Sequence, residues 1–131
     1  MKRTTLLHAE LSEVVARLGH GDLLVLGDAG LPIPDGPRRI DLAVSADVPR
    51  LQDVLAAVLA EMQVEGAVIA EELAPRNPAV HAELQRQLAG TPVQTLSHEQ
   101  FKLATRQARA IVRTGECSPY ANVILRSGVV F

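Results

Sequence analysis

Leu11, Val14, Val15 and Leu18 recur at the spacing of one helix face, and Gly19 stands where a helix commonly ends. The pattern then changes: Leu23 to Leu26 is a short continuous apolar run between glycines, which predicts a buried strand. The prolines of Gly30-Leu-Pro-Ile-Pro34 exclude a helix interior after it. Ile40 to Val44 predicts a second strand, and Pro49 precedes a strongly amphipathic helix carrying Leu51, Val54, Leu55, Val58, Leu59 and Met62. Val64 to Ala70, broken only by Glu65 and Gly66, predicts a strand whose far end carries the carboxylates Glu71 and Glu72. Pro78 opens a helix through Val80, Leu84 and Leu88, and Val93 to Leu96 is a short strand. Ser97 with Gln100 forms a capping-box signature for a helix with Phe101, Ala104 and Ala108 on one face. Ala110 to Arg113 and Asn122 to Leu125 complete the strands, separated by Gly115-Glu-Cys-Ser-Pro-Tyr120. Six strands in near alternation with four helices predict an α/β fold, a three-layer α/β/α sandwich around a mostly parallel six-stranded sheet.

Composition narrows the function classes. At 131 residues, without repeats or a long linker, residues 1–131 are expected to form a single domain. The formal charge is −2, with no basic run and few aromatic residues to stack bases, so nucleic acid is not an expected partner. No apolar run approaches the roughly 18 residues of a membrane span, and the N-terminus lacks a signal-peptide pattern. The one cysteine, Cys117, forms no intrachain disulfide, in keeping with a cytoplasmic protein. With glycine included, the apolar share is about 54%, slightly above globular usage, which hints at subunit contacts.

The chemistry lies at loop positions. His20 and Asp28 bracket the first strand, where the chain leaves the sheet and can meet a ligand. Each also has a purely structural reading: an imidazolium complements a helix C-terminus, and aspartate is an ordinary turn or capping residue. His98 falls in the first turn of its helix; a His-Glu-x-x-His zinc motif would need a histidine where Lys102 stands. The four histidines show no short ligand spacing, so no metal is expected. Cys117, beside Glu116, is a poor thiolate candidate. Tyr120-Ala121-Asn122 follows a proline-fixed turn and offers a phenol, backbone groups and an amide suited to a polyhydroxylated ligand.

Six blocks in order, Arg17-Leu-Gly-His20, Asp28-Ala-Gly-Leu-Pro-Ile-Pro34, Glu61-Met-Gln-Val64, Ala70-Glu-Glu72, His98-Glu-Gln-Phe-Lys102 and Gly115-Glu-Cys-Ser-Pro-Tyr-Ala-Asn122, closely resemble the D-ribose pyranase family of sugar mutarotases. The resemblance spans nearly the whole chain. It implies a cytoplasmic, cofactor-independent enzyme interconverting pyranose and furanose forms of D-ribose. It further implies His20 as proton donor and Asp28, His98, Tyr120, Ala121 and Asn122 as sugar-binding residues, with Lys102 a further candidate. Finally, it implies a ring-like homo-oligomer, a homodecamer, with the sugar site near subunit boundaries. The chemistry is compatible: opening a cyclic hemiacetal delivers a proton to the ring oxygen as the anomeric hydroxyl loses one, and imidazole exchanges protons near neutral pH. The acceptor of the anomeric proton stays open between Asp28, His98 and a water relay. An L-fucose mutarotase and a non-catalytic accessory protein of ribose uptake are the rival readings.

Overall fold

The computed structural model describes all 131 residues. The first helix, α1 (Ala9–Arg17), is capped by His8, whose ring nitrogen accepts from the Leu11 N–H. Strand β1 (Leu23–Gly27) follows, then β2 (Arg38–Asp41), α2 (Leu51–Leu59), β3 (Val64–Ala70), a one-turn α3 (Leu73–Arg76) and α4 (Pro78–Gln87). The chain ends through β4 (Val93–Leu96), α5 (His98–Ala104), a 3-10 turn at Thr105–Gln107, β5 (Ala110–Arg113) and β6 (Val123–Ser127).

One six-stranded sheet runs in the order β2-β5-β1-β6-β3-β4. Pairings β1–β5, β2–β5 and β3–β4 are parallel, and β6 is antiparallel to both β1 and β3. Alternating side chains supply two cores. Leu24, Leu26, Ile40, Ala67, Ile69, Val112 and Leu125 face α1, α2 and α4 in the larger one, whereas Val25, Ile111 and Ile124 face Phe101 of α5 and Leu31 of the proline loop in the smaller. This is the α/β/α sandwich, with the second outer layer thin.

Local boundaries differ from the sequence pattern for physical reasons. The second strand is Arg38–Asp41, earlier than the expected Ile40 to Val44, because it pairs at the sheet edge through only Ile40 inward. Its charged residues are satisfied laterally, Arg38 by Glu10 and Glu13 and Asp41 by Arg113, while Val44 projects into solvent. The last strand begins at Val123 and runs to Ser127, since Asn122 is held in the preceding turn by its side chain. Helix α5 stops at Ala104, and Ala108 reaches the core from beyond the 3-10 turn. The short α3 carries Pro75 in its first turn, where no intrahelical N–H is required, and has too few residues to show a period.

Because β6 is reversed, one edge of the sheet gathers the C-terminal ends of β1, β3, β4 and β5 together with the start of β6. The loops holding Asp28, Glu72, His98 and Tyr120–Asn122 all emerge there. Ligands of open α/β sheets bind outside the carboxyl ends of the strands.

Candidate active site at the carboxyl edge of the sheet

Asp28 and Asn122 form the centre of this edge. Asn122 is fully buried; its Oδ1 accepts the Asp28 backbone N–H at 2.7 Å, and its Nδ2 donates to Asp28 Oδ2 at 2.9 Å. The other carboxylate oxygen accepts from the Gly30 N–H at 2.9 Å. Gly27 makes this close approach feasible: a Cβ there would lie 2.6 Å from Leu31 Cδ2 and 3.3 Å from Asn122 Oδ1.

His98 opens α5 as its first residue. The Ser97–Gln100 capping box is present with both reciprocal bonds, and Glu72, just past the end of β3, accepts the His98 backbone N–H through both carboxylate oxygens at 2.9 and 3.1 Å. The His98 ring lies edge-on to Tyr120 with centroids 5.1 Å apart, and its Nδ1 is buried without a protein partner. A buried ring nitrogen left open beside a phenol and a carboxylate is suited to a sugar hydroxyl.

Tyr120 has a positive φ of 57°, a conformation costly for an aromatic residue unless its surroundings impose it. Asn77, the buried cap of α4, imposes it by donating to Pro119 O at 2.8 Å and Ser118 Oγ at 2.9 Å. Buried Glu116 holds the same loop from the other side, accepting from Ser118 Oγ and from the Leu51 N–H at the start of α2. Ala121 is fully buried and packs the turn against the larger core.

Asp28, His98, Tyr120, Ala121 and Asn122 therefore lie together. Lys102 lies one helical turn beyond His98, paired with Glu99 at 2.7 Å and lining a hollow with Pro32, Ile33 and Pro34. His20 is not with them: it precedes β1, whereas Asp28 follows it, and the five-residue strand between spans roughly 17 Å. At that opposite edge His20 Nε2 lies 2.8 Å from Glu65 Oε2. Sequence reasoning passed over Glu65, Asn77 and Glu116 as site supports. Glu72 alone gave a signal, as a carboxylate at a strand's far end. No group of three or more His, Cys, Asp or Glu side chains is placed to hold a metal ion. No helix is long and apolar enough to cross a membrane.

Burial raises the Asp28 pKa above the ordinary aspartate value, against hydrogen bonds from Gly30, Asn122 and Leu31 and the nearby His98 ring. The native carboxyl thus takes up its proton at a higher pH than the unfolded chain's does. Its contribution to stability is unfavourable at neutral pH, and the penalty disappears as pH falls from the native value to the ordinary one. Glu13 and Glu83, held low by hydrogen bonds from Arg38 and Arg86, Glu83 at about 2, lose their favourable contribution only below the ordinary glutamate value. The two windows overlap just above the ordinary aspartate value, so the Asp28 effect is read as a difference. Across mildly acidic pH, urea midpoints of the parent should rise on acidification relative to those of Asp28→Asn; an identical pH profile in that variant would contradict this account of the half-buried carboxylate.

The sequence model of the RbsD / FucU transport protein family matches residues 1–130. Among curated proteins, the "D-ribose pyranase" of Symbiobacterium thermophilum is 62% identical over 131 residues and that of Variovorax paradoxus 59% over 133, each with full coverage of both chains. Among solved structures, Bacillus subtilis RbsD complexed with D-ribose superposes with a TM-score of 0.97 at 43% identity, covering all of both chains. The fucose mutarotase of Streptococcus pneumoniae in complex with L-fucose gives 0.86 at 26%, again over both full chains.

Proposed function

The chain belongs to the RbsD / FucU family, and from that premise we propose that it is a mutarotase interconverting the pyranose and furanose forms of D-ribose. The observation that carries this reading is the match, over the full length of both chains, to a structure holding D-ribose, together with a half-buried, polar edge cluster suited to hydroxyl groups. The reaction needs only proton transfer. A proton goes to the ring oxygen, the anomeric hydroxyl gives one up to an acceptor in the Asp28 cluster, and the bond from C1 to the ring oxygen breaks. The open aldehyde turns, another hydroxyl attacks C1, and the two proton transfers reverse.

In this reading His20 is the proton donor, while Asp28, His98, Tyr120, Asn122 and the Ala121 backbone bind the sugar. One chain cannot supply both, because β1 separates them. The working site is therefore assembled from two copies, with His20 of one brought to the Asp28 cluster of another. A repeating contact between two different surfaces closes into a ring when its rotation allows, and the expected assembly is a ring-like homo-oligomer, a homodecamer. The exposed Val129, Val130 and Phe131 and the thinly covered α5 side of the sheet supply apolar surface for such contacts. The lone thiol and the nature of the substrate fit a cytosolic site of action.

The test is magnetisation exchange between pyranose and furanose anomeric protons of ribose with catalytic amounts of protein, repeated with L-fucose. Acceleration for ribose well beyond that for fucose supports the proposal. Faster exchange for fucose alone would make the chain a fucose mutarotase, and binding of ribose without faster exchange would leave only an accessory role. A 14 kDa species by light scattering at micromolar concentration would contradict the assembly.

A further inference from the structure

The edge of the sheet that carries His20 holds an arrangement with its own logic. Where β3 pairs with β6, Val64 lies opposite Ser127 and Gly66 opposite Arg126, so Glu65 is one residue too many on its strand. Such a bulge leaves its residue unpaired and re-aims the side chain. Here the carboxylate reaches His20, with Glu65 Oε2 at 2.8 Å from His20 Nε2. Strand β6 lies between β1 and β3, so the pair spans the end of β6.

That end is shaped for the crossing. The Gly21 N–H, next to His20, donates to Ser127 O at 2.8 Å, and the Gly128 N–H donates to Gln63 O at 2.9 Å, just ahead of the bulge. Gly128 also leaves room for it: a Cβ there would sit 3.1 Å from Glu65 Cβ and 3.4 Å from Gln63 Cγ. Turn and bulge are thus tied to consecutive residues, Ser127 at the end of β6 and Gly128 just after it. The side chains are 63% and 38% exposed, and an exposed pair of this kind adds little to stability. Stability gives no reason for a bulge, a glycine and a turn to converge on it.

We propose that Glu65 is the positioning residue for His20. Its carboxylate accepts the Nε2 proton, and so fixes the ring orientation and the tautomer in which Nδ1 faces the sugar site of a neighbouring copy. The inference rests on the reading of His20 as proton donor. Neutral His20 then carries its proton on Nε2 and a lone pair on Nδ1; the protonated ring carries the transferable proton on Nδ1. On ring opening Nδ1–H gives its proton to the sugar ring oxygen, and on reclosure Nδ1 takes one back from the attacking hydroxyl. The Nε2 proton stays in place, and Glu65 neither touches the sugar nor changes protonation. A carboxylate holding one imidazole nitrogen while the other exchanges protons is the division of labour of the serine hydrolase triad.

The experiment measures ribose exchange in Glu65→Ala, Glu65→Gln and His20→Ala, and the 15N signals of the His20 ring in the wild type and the two Glu65 variants, each protein checked for wild-type assembly size by light scattering. Loss of the partner that orients a metal-ligating imidazole costs about 10- to 100-fold, and a loss on that scale is expected for an imidazole that exchanges protons. Glu65→Ala should lose kcat on that scale with KM within about twofold, and its His20 nitrogens should shift towards a mixture of tautomers. Glu65→Gln, which keeps an acceptor oxygen, should retain the Nε2–H tautomer and most of the rate. Wild-type kcat in Glu65→Ala, an unchanged tautomer there, or a Glu65→Gln loss as deep as that of alanine would overturn the proposal while the His20 reading stands. Full exchange in His20→Ala would remove the His20 reading itself.

Discussion

Replacing His20 with alanine lowers the rate of ribose pyranose–furanose exchange by roughly 100-fold or more, the loss expected for a positioned acid. Ribose affinity changes far less, because the hydroxyl-binding groups lie around Asp28, at the other edge of the sheet. The fold should not register the change. The His20 side chain is 63% exposed and its only bond is to the half-exposed Glu65, so truncation opens no cavity and strands no buried group. A melting temperature within about a degree or two of the parent and a kcat reduced with little change in KM would separate chemistry from folding. A His20→Ala protein at full rate would mean that the ring oxygen receives its proton from elsewhere.

Asn122→Ala should do the opposite, damaging fold and site together. Asn122 is fully buried and makes two bonds to Asp28, one through each end of its amide. Alanine leaves the Asp28 N–H without its acceptor and removes a donor from a half-buried carboxylate. The backbone N–H left without its acceptor costs about 1–3 kcal/mol, and the half-buried carboxylate, which keeps its Gly30 bond, adds a smaller loss, so a destabilisation of roughly 2–4 kcal/mol is expected. Losing the amide donor should also raise the Asp28 pKa further, since that hydrogen bond now opposes the effect of burial. Ribose binding should weaken at neutral pH even at temperatures where the variant is folded. Denaturant midpoints and calorimetric titration check the two halves, and wild-type stability in Asn122→Ala would show that the amide is not what organises this edge.

The sequence shows the elements whose periodicity is set by one dominant face. Helices α1, α2 and α4 and strands β1, β3 and β5 are legible because each turns apolar side chains to the core, whereas β4, an exposed edge strand, is legible only from its Val93 to Leu96 pattern. Edge and turn positions are less so. The second strand is charged at three of its four positions, because Arg38 and Asp41 meet partners on α1 and β5 that no local pattern reveals. The reversed β6 has the same apolar run as a parallel strand, and only the sheet order makes it the spacer between β1 and β3.

The candidate site was legible one residue at a time. Asp28, His98 and the 120–122 turn stand at strand ends and helix starts, where the chain exposes functional groups, and the fold brings them together. The strand predicted between His20 and Asp28 is present and carries them to opposite edges of the sheet; linear reading sets them at its two ends without drawing the separation, roughly 17 Å, that follows. Supporting residues are hidden for a similar reason: Glu65 interrupts a strand pattern, Asn77 caps a helix, and Glu116 sits in a loop. Each reaches the site through a long-range bond absent from any local motif.

Mixing two inactive proteins tests the central claim most directly. His20→Ala keeps an intact sugar cluster, and Asp28→Ala keeps an intact proton donor. If the sites of the assembly are shared between copies, dissociating the two variants, mixing them equally and reassembling them should restore ribose exchange to about a quarter of the wild-type rate per chain, since random pairing joins intact halves at that frequency. Exchange no faster than the sum of the two separate variants, in mixed assemblies of wild-type size, would contradict the account of a ribose mutarotase whose proton donor and sugar cluster come from different copies.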